Sequence, residues 1–335
     1  MVTRLSRSGF RGWLTLVTLA SCALAAFAQT SSDGGEPISP IEPAEVADTN
    51  KRALGEALFN DPRLSRDGSV SCASCHQLDQ GGDDGSARSA SRRPLDFNTP
   101  TIFNAARNFR LNWRGNFRSL EEQNEAVLLD PSLMDIDWGE LLSRLREDRA
   151  YARQFTSVYG APADREKVLD ALAAFQRTLV TPDARFDRYL RGERDALTSE
   201  EQRGYTLFKD YGCTACHQGA NVGGNLFQKF GIFDDPFAGR RVAERGDLGR
   251  FTITGLDQDR HVFRVPSLRN VGITAPYFHH GRTASLPEAV RIMGRSQLGR
   301  ELPDRDIKSI VAFLHTLTGE YRGRPLARGE NEAGP

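Results

Sequence analysis

The strongest constraint on this chain is a five-residue pattern that occurs twice, as Cys72-Ala73-Ser74-Cys75-His76 and as Cys213-Thr214-Ala215-Cys216-His217. C-x-x-C-H is the attachment signature of c-type haem. The two thiols form thioethers to the porphyrin, and the adjacent His reaches the iron as its proximal ligand. Paired disulfides or a zinc site are the alternatives, and neither explains why both pairs run straight into His. The chain has five Cys. The fifth, Cys22, lies in an N-terminal stretch of a different kind, so the two motifs use every other cysteine. Two covalently bound haem c groups are therefore expected.

The first 28 residues read as a secretory signal peptide. Arg4, Arg7 and Arg11 form a basic start, Trp13 to Ala26 is apolar but short for a bilayer span, and Ala26-Phe27-Ala28 is a small-x-small cleavage site. The mature chain then begins near Gln29 and is periplasmic. A competing reading takes Leu19-Ala20-Ser21-Cys22 as a lipobox, which would anchor the protein through a lipid on Cys22. Lys+Arg and Asp+Glu both number 44, and loss of the three signal arginines leaves a slightly acidic chain. No nucleic-acid partner is expected, because phosphate neutralisation needs a basic surplus.

The motifs stand 141 residues apart. Each follows a similar segment, Gly55-Glu56-Ala57-Leu58-Phe59 and Gly204-Tyr205-Thr206-Leu207-Phe208. The expected fold is mainly α, with two cytochrome-c-like haem domains and long loops. The boundaries are 1–28 signal peptide, 29–50 flexible leader, 51–185 N-terminal haem domain, 186–322 C-terminal haem domain and 323–335 disordered tail. A linker is placed near Thr181 to Thr198. Ser119, Thr198 and Ser285, each three residues before a Glu, predict helix starts. Val168, Leu172, Phe175 and Leu179 recur at helical spacing, as do Ile307, Ile310, Val311 and Leu314. Residues 219–270 read as loop with short strands.

A haem iron held only by His has an open axial position. Methionine there makes an electron-transfer site of raised potential, whereas an open position admits a small ligand such as peroxide. The mature chain offers Met134 and Met293, and, outside the motifs, His261, His279, His280 and His315. Spacing alone favours reading Met293 as a core residue. His315, beside Leu314 and Leu317, reads as packing or surface.

The combined pattern resembles the bacterial di-haem cytochrome c peroxidases, whose scaffold is shared by the protein-oxidising MauG type. The residues that carry it are the two C-x-x-C-H motifs, Asn98-Thr99-Pro100-Thr101, Leu120-Glu121-Glu122-Gln123, Val265-Pro266-Ser267-Leu268-Arg269-Asn270 and Ala275-Pro276-Tyr277-Phe278-His279-His280-Gly281. The resemblance spans residues 45–320. It implies that the haem on Cys72, Cys75 and His76 is the peroxidatic centre. The haem on Cys213, Cys216 and His217 takes electrons, with Met293 as its distal ligand. Trp113 lies between the haems, Gln123 lies over the peroxidatic one, and His279 is an ordered residue near the interface. Asn98, Thr274 and Pro276 match a calcium site. The implied reaction is reduction of hydrogen peroxide by a small c-type cytochrome or a cupredoxin, in a homodimer.

Two positions depart from the family. No His occurs between Gly81 and Asn98, where members carry one that caps the peroxidatic iron at rest. In Asp130-Pro131-Ser132-Leu133-Met134, Leu133 stands where the catalytic Glu is expected. Gln123, a water, Asp135 or Glu121 would then have to serve proton transfer. A non-enzymatic di-haem electron carrier and a MauG-like oxidase of a partner protein remain as alternatives. Met293 speaks against the MauG type, which has Tyr at that position.

Overall fold

Helices dominate the residues described by the computed structural model, which are 35–45, 47–87, 95–238 and 244–328. In chain order they are α1 (Thr49–Asn60), α2 (Cys72–Cys75), α3 (Leu120–Leu129), α4 (Trp138–Glu147), α5 (Arg149–Tyr159), α6 (Arg165–Arg177), α7 (Arg185–Leu190), α8 (Ser199–Asp210), α9 (Phe251–Thr254), α10 (Leu286–Leu298) and α11 (Asp304–His315). Two short antiparallel pairs complete the set, β1 (Phe227–Lys229) with β2 (Val262–Arg264), and β3 (Glu320–Tyr321) with β4 (Arg324–Pro325). The mainly α expectation holds, as do the short strands within 219–270. The signal segment, including Cys22 and the cleavage site, lies outside the described residues.

Two helix crossings organise the chain from Pro37 onward. α1 packs on α6, and α8 packs on α11. The repeated glycine noted in the sequence explains both. A Cβ at Gly55 would come within 1.9 Å of the Ala171 carbonyl oxygen, and one at Gly204 within 2.0 Å of the Ser309 carbonyl oxygen. Only glycine lets the backbones approach this closely. One turn later Phe59 meets Phe175 and Phe208 meets Phe313, with ring centroids 5.3 Å apart in each pair. One core gathers Leu54, Leu58, Leu141, Phe155, Leu172 and Phe175. The other gathers Phe186, Tyr205, Phe208, Ile307, Ile310 and Phe313.

The helix starts fall where the sequence places them. Ser119, Thr198 and Ser285 accept the backbone amides of Glu122, Glu201 and Glu288, and only at Thr198 does the Glu also reach back to the cap amide.

Three expectations are corrected. The leader 29–50 is not flexible over 37–45. Ile38 and Ile41 are buried, the Ile41 amide donates to Asp187, and Arg269 donates to the Ser39 carbonyl. The apolar Ile residues among the Pro and Glu are what hold this stretch down. The tail is ordered through Arg328: β3 pairs with β4, Leu326 is buried, and Arg328 donates to the Ala275 carbonyl. Residues 329–335 lie outside the described set. The stretch from Thr181 to Thr198 is no loose linker. The Thr181 amide donates to Asn104, its hydroxyl lies against Asn104 and Asn270, and Phe186 is fully buried.

Gly55→Ala and Gly204→Ala are each expected to destabilise the protein by about 1–3 kcal/mol, the usual cost of overpacking a tight contact. Denaturant unfolding of the haem-loaded protein measures this, and an unchanged midpoint would show that the crossings are not tight.

Candidate haem sites

Each C-x-x-C-H is wound into one tight turn. The His76 amide donates to the Cys72 carbonyl at 3.0 Å, and the His217 amide to the Cys213 carbonyl at 2.9 Å. The turns sit at the ends of the crossed helices, α2 against α1 and the Cys213–Ala215 turn against α8. No disulfide joins these four cysteines. Burial disfavours a thiolate at Cys72 and Cys213, pushing both up to about 12. His76 Nδ1 lies 3.0 Å from the Gly82 carbonyl oxygen, and His217 Nδ1 lies 3.3 Å from that of Val222. A carbonyl on Nδ1 selects the tautomer whose Nε2 carries a lone pair, the form that ligates a metal. Burial also holds both imidazoles neutral, His217 down to about 4 and His76 below its ordinary value.

Each motif opens on a cavity. The first, about 500 Å³, is lined by Cys72, Cys75, His76, Gln123, Val127, Leu133 and Met134 among others. The second, about 430 Å³, is lined by Cys213, Cys216, His217, Met293, Leu286 and Leu314 among others. Two thiols and a neutral imidazole at the wall of a large, mostly apolar cavity are the donor set that haem c requires, and both sites fit it.

The two sites are copies. Residues 98–127 correspond to 264–293 with a constant shift: Pro100 to Pro266, Thr101 to Ser267, Asn104 to Asn270, Gly115 to Gly281, and Ser119-Leu120 to Ser285-Leu286. The hydrogen bonds match too. The Ile102 amide donates to the Gly82 carbonyl and that of Leu268 to Val222. Thr101 Oγ1 donates to the Gly81 carbonyl and Ser267 Oγ to that of Asn221. Asn104 and Asn270 both adopt positive φ at the start of a short turn. The segments also cross over. The Asn98 amide donates to the His279 carbonyl, and the Arg264 amide to the Trp113 carbonyl. This repeat was present in the sequence but masked by its divergence.

The copies differ at positions that line the cavities. Met293 on α10 corresponds to Val127 on α3, and each lines its own cavity. Gln123 corresponds to Ala289, and its Oε1 is buried without a hydrogen-bond partner. Leu133 lines the first cavity as well. Met134 also reaches that cavity, from a buried place among Leu128 and Ile136. Of the acids proposed to replace Glu at Leu133, neither Glu121 nor Asp135 lines the cavity. Glu121 pairs with Arg177, and Asp135 with Arg66. Asp130, which sequence reasoning passed over, does line it.

Trp113 is buried, lines both cavities, and donates from Nε1 to the Asn98 carbonyl at 2.8 Å. His279 stacks on Phe263 at 4.3 Å, with Nε2 2.8 Å from Asp247. His261 Nδ1 lies 2.8 Å from the Asp247 carbonyl. His315 is exposed on α11. Asn98, Thr274 and Pro276 converge on the wall of the second cavity. Asn98 Nδ2 donates to the Pro276 carbonyl at 2.7 Å, while its Oδ1 is buried and unpartnered.

Fold and site together define a helical protein with two sites suited to c-type haem. The model of the family described as di-haem cytochrome c peroxidase matches residues 49–195. Cytochrome c551 peroxidase of Nitrosomonas europaea is 40% identical over 272 residues, covering 80% of this chain and 79% of the relative. Cytochrome c peroxidase Ccp of Escherichia coli K12 is 42% identical over 279 residues, covering 82% of this chain and 59% of that longer protein. A solved structure of a MauG-like protein associated with microbial copper homeostasis aligns with a TM-score of 0.76 at 29% identity, over 84% of this chain and 94% of that one. The chain belongs to the di-haem cytochrome c peroxidase family. It is accordingly an oxidoreductase of the peroxidase class, and haem c is the cofactor of that family.

Replacing Cys213 and Cys216 together by Ala is expected to leave one covalent haem per chain instead of two. The pyridine haemochrome assay counts them, and two haems retained would refute attachment at the second motif.

Proposed function

We propose that this chain is an exported, periplasmic peroxidase that reduces hydrogen peroxide to water, drawing electrons from a small c-type cytochrome or a cupredoxin and working as a homodimer. The observation that carries the reading is the inequality of two otherwise matched sites, thioether-bearing Met293 in one and hydrocarbon Val127 at the same place in the other. Haem c would be held by Cys72, Cys75 and His76 in one cavity and by Cys213, Cys216 and His217 in the other, and would supply a redox-active iron for peroxide reduction.

The chain's own residues divide the work. Val127 offers no donor atom and leaves the first site accessible. Gln123 presents a buried, unpartnered amide oxygen to the same space, suited to accept a hydrogen bond from a peroxide O–H or a water. Cleavage of an O–O bond needs a proton moved to the departing oxygen. Asp130 is the acid on the same loop as Leu133 that lines the cavity, and we assign that proton to it. Met293 closes the second site and makes it the point of electron entry. Trp113 spans the wall between the two and provides a packed aromatic route. One peroxide, two protons and two donor electrons give two waters.

We also assign a calcium ion to Asn98 with the backbone oxygens of Thr274 and Pro276, hard ligands of the kind calcium prefers. Turning the Asn98 carboxamide over would bring Oδ1 beside the Pro276 oxygen, a pairing that a cation stabilises.

Three measurements test the reading. Fully reduced protein mixed with stoichiometric peroxide should reoxidise rapidly, and no reaction would remove the peroxidase assignment. Met293→Ala should abolish a methionine-ligated low-spin spectrum while Met134→Leu preserves it; the reverse result would exchange the ligands. Asp130→Asn should lower turnover on the order of 10²-fold, with Glu121→Gln and Asp135→Asn leaving it largely unchanged. An unaffected Asp130→Asn enzyme would exclude Asp130 as the proton source.

A further inference from the structure

Arg264 is 5% exposed and lies at the end of β2. It lines both cavities, as do Trp113 and Asn108, and it is the one charged side chain common to the two linings. Its hydrogen bonds go only to neutral oxygens. Nε donates to the Asn112 carbonyl at 3.2 Å, and Nη1 to Asn108 Oδ1 at 3.4 Å and to the Val265 carbonyl at 3.3 Å. Among the described residues no carboxylate forms an ion pair with it. Its counterpart in the first copy is Asn98, which is neutral, so the repeat itself does not require a cation here.

A buried guanidinium without an anion is costly. Burial pulls its pKa down to about 10, still well above neutral, so the charge persists. The anion must come from what fills the cavities. Haem carries two propionates, and arginine is the side chain best shaped to hold carboxylates in a planar fork.

We propose that Arg264 is a shared clamp, holding a propionate of each haem from the wall between them and so coupling the two sites electrostatically. This rests on the di-haem reading above. It makes Arg264 a positioning and potential-setting residue of both centres. A fixed positive charge favours the reduced, less positive iron, so removing it lowers the reduction potential. Arg114 provides the contrast. It lines the first cavity only, its Nε is buried without a partner, and its Nη1 donates to Thr252.

The test is spectroelectrochemical titration of the full haem-loaded protein, with haem count taken first by pyridine haemochrome. Two haems per chain uphold the di-haem reading, and fewer in the unaltered protein would sink that reading by itself. Given two haems, Arg264→Met is expected to lower both midpoint potentials, by about 59 mV for a tenfold change in each one-electron equilibrium. Arg114→Met is expected to lower only the first. Arg264→Lys, which keeps the charge, should stay close to the unaltered protein. A shift at only one haem in Arg264→Met, or at neither, overturns the shared clamp. If Arg264→Met does not load both haems, resonance Raman of Arg264→Lys decides: propionate bending bands altered at both haems support the clamp, and unaltered bands at either overturn it.

Discussion

Close approach of two backbones at a glycine is the constraint from which the rest of this structure is built. At Gly55 and again at Gly204 a helix lies directly on the carbonyl of its partner, and a phenylalanine pair one turn on locks the crossing. The C-x-x-C-H turn follows each crossed helix and is held against it. Position along the chain is thereby converted into position in space, and each motif is delivered to the rim of a cavity. Both cavities are lined mostly by apolar surface, so a prosthetic group seated there would complete the core of each half.

Duplication explains both the resemblance between the halves and their division of labour. The same loop, the same Pro and Asn, and the same capped helix recur, so each half offers its haem the same proximal support. The copies differ in side chains that line the cavities. Val127 against Met293 puts a hydrocarbon on one wall and a thioether on the other. Gln123 against Ala289 places a polar atom on one side only. Trp113 against His279 gives the two halves different aromatic residues at the crossover, where each segment hydrogen-bonds to the other half's chain. The Asn98 and Arg264 pair occupies the same crossover, one facing the proposed calcium site and the other facing both cavities.

The resemblance to the family implies an acid at the position of Leu133, where this chain lines the cavity with hydrocarbon. Glu121 and Asp135 are close in sequence, but the helix turn and the following loop direct them outward to Arg177 and Arg66. Asp130 remains on the cavity wall, three residues earlier in the same element.

The helical class, the tight turn of each C-x-x-C-H and the capped helix starts could be read from the chain because each depends on neighbours within a few residues. A thiol pair with its histidine, or a serine three residues before a glutamate, carries its geometry with it. The ordering of 37–45 and 323–328, the burial of Thr181, and the sharing of Arg264 between two cavities could not be read that way. They depend on segments far apart in sequence meeting around a common core, and composition there, rich in Pro, Gly and charge, points toward loops. Local chemistry settled which residues are suited to hold a prosthetic group. Long-range packing settled which side chain faces which group, because a ligand position is defined by where two distant segments converge and not by the residues beside it.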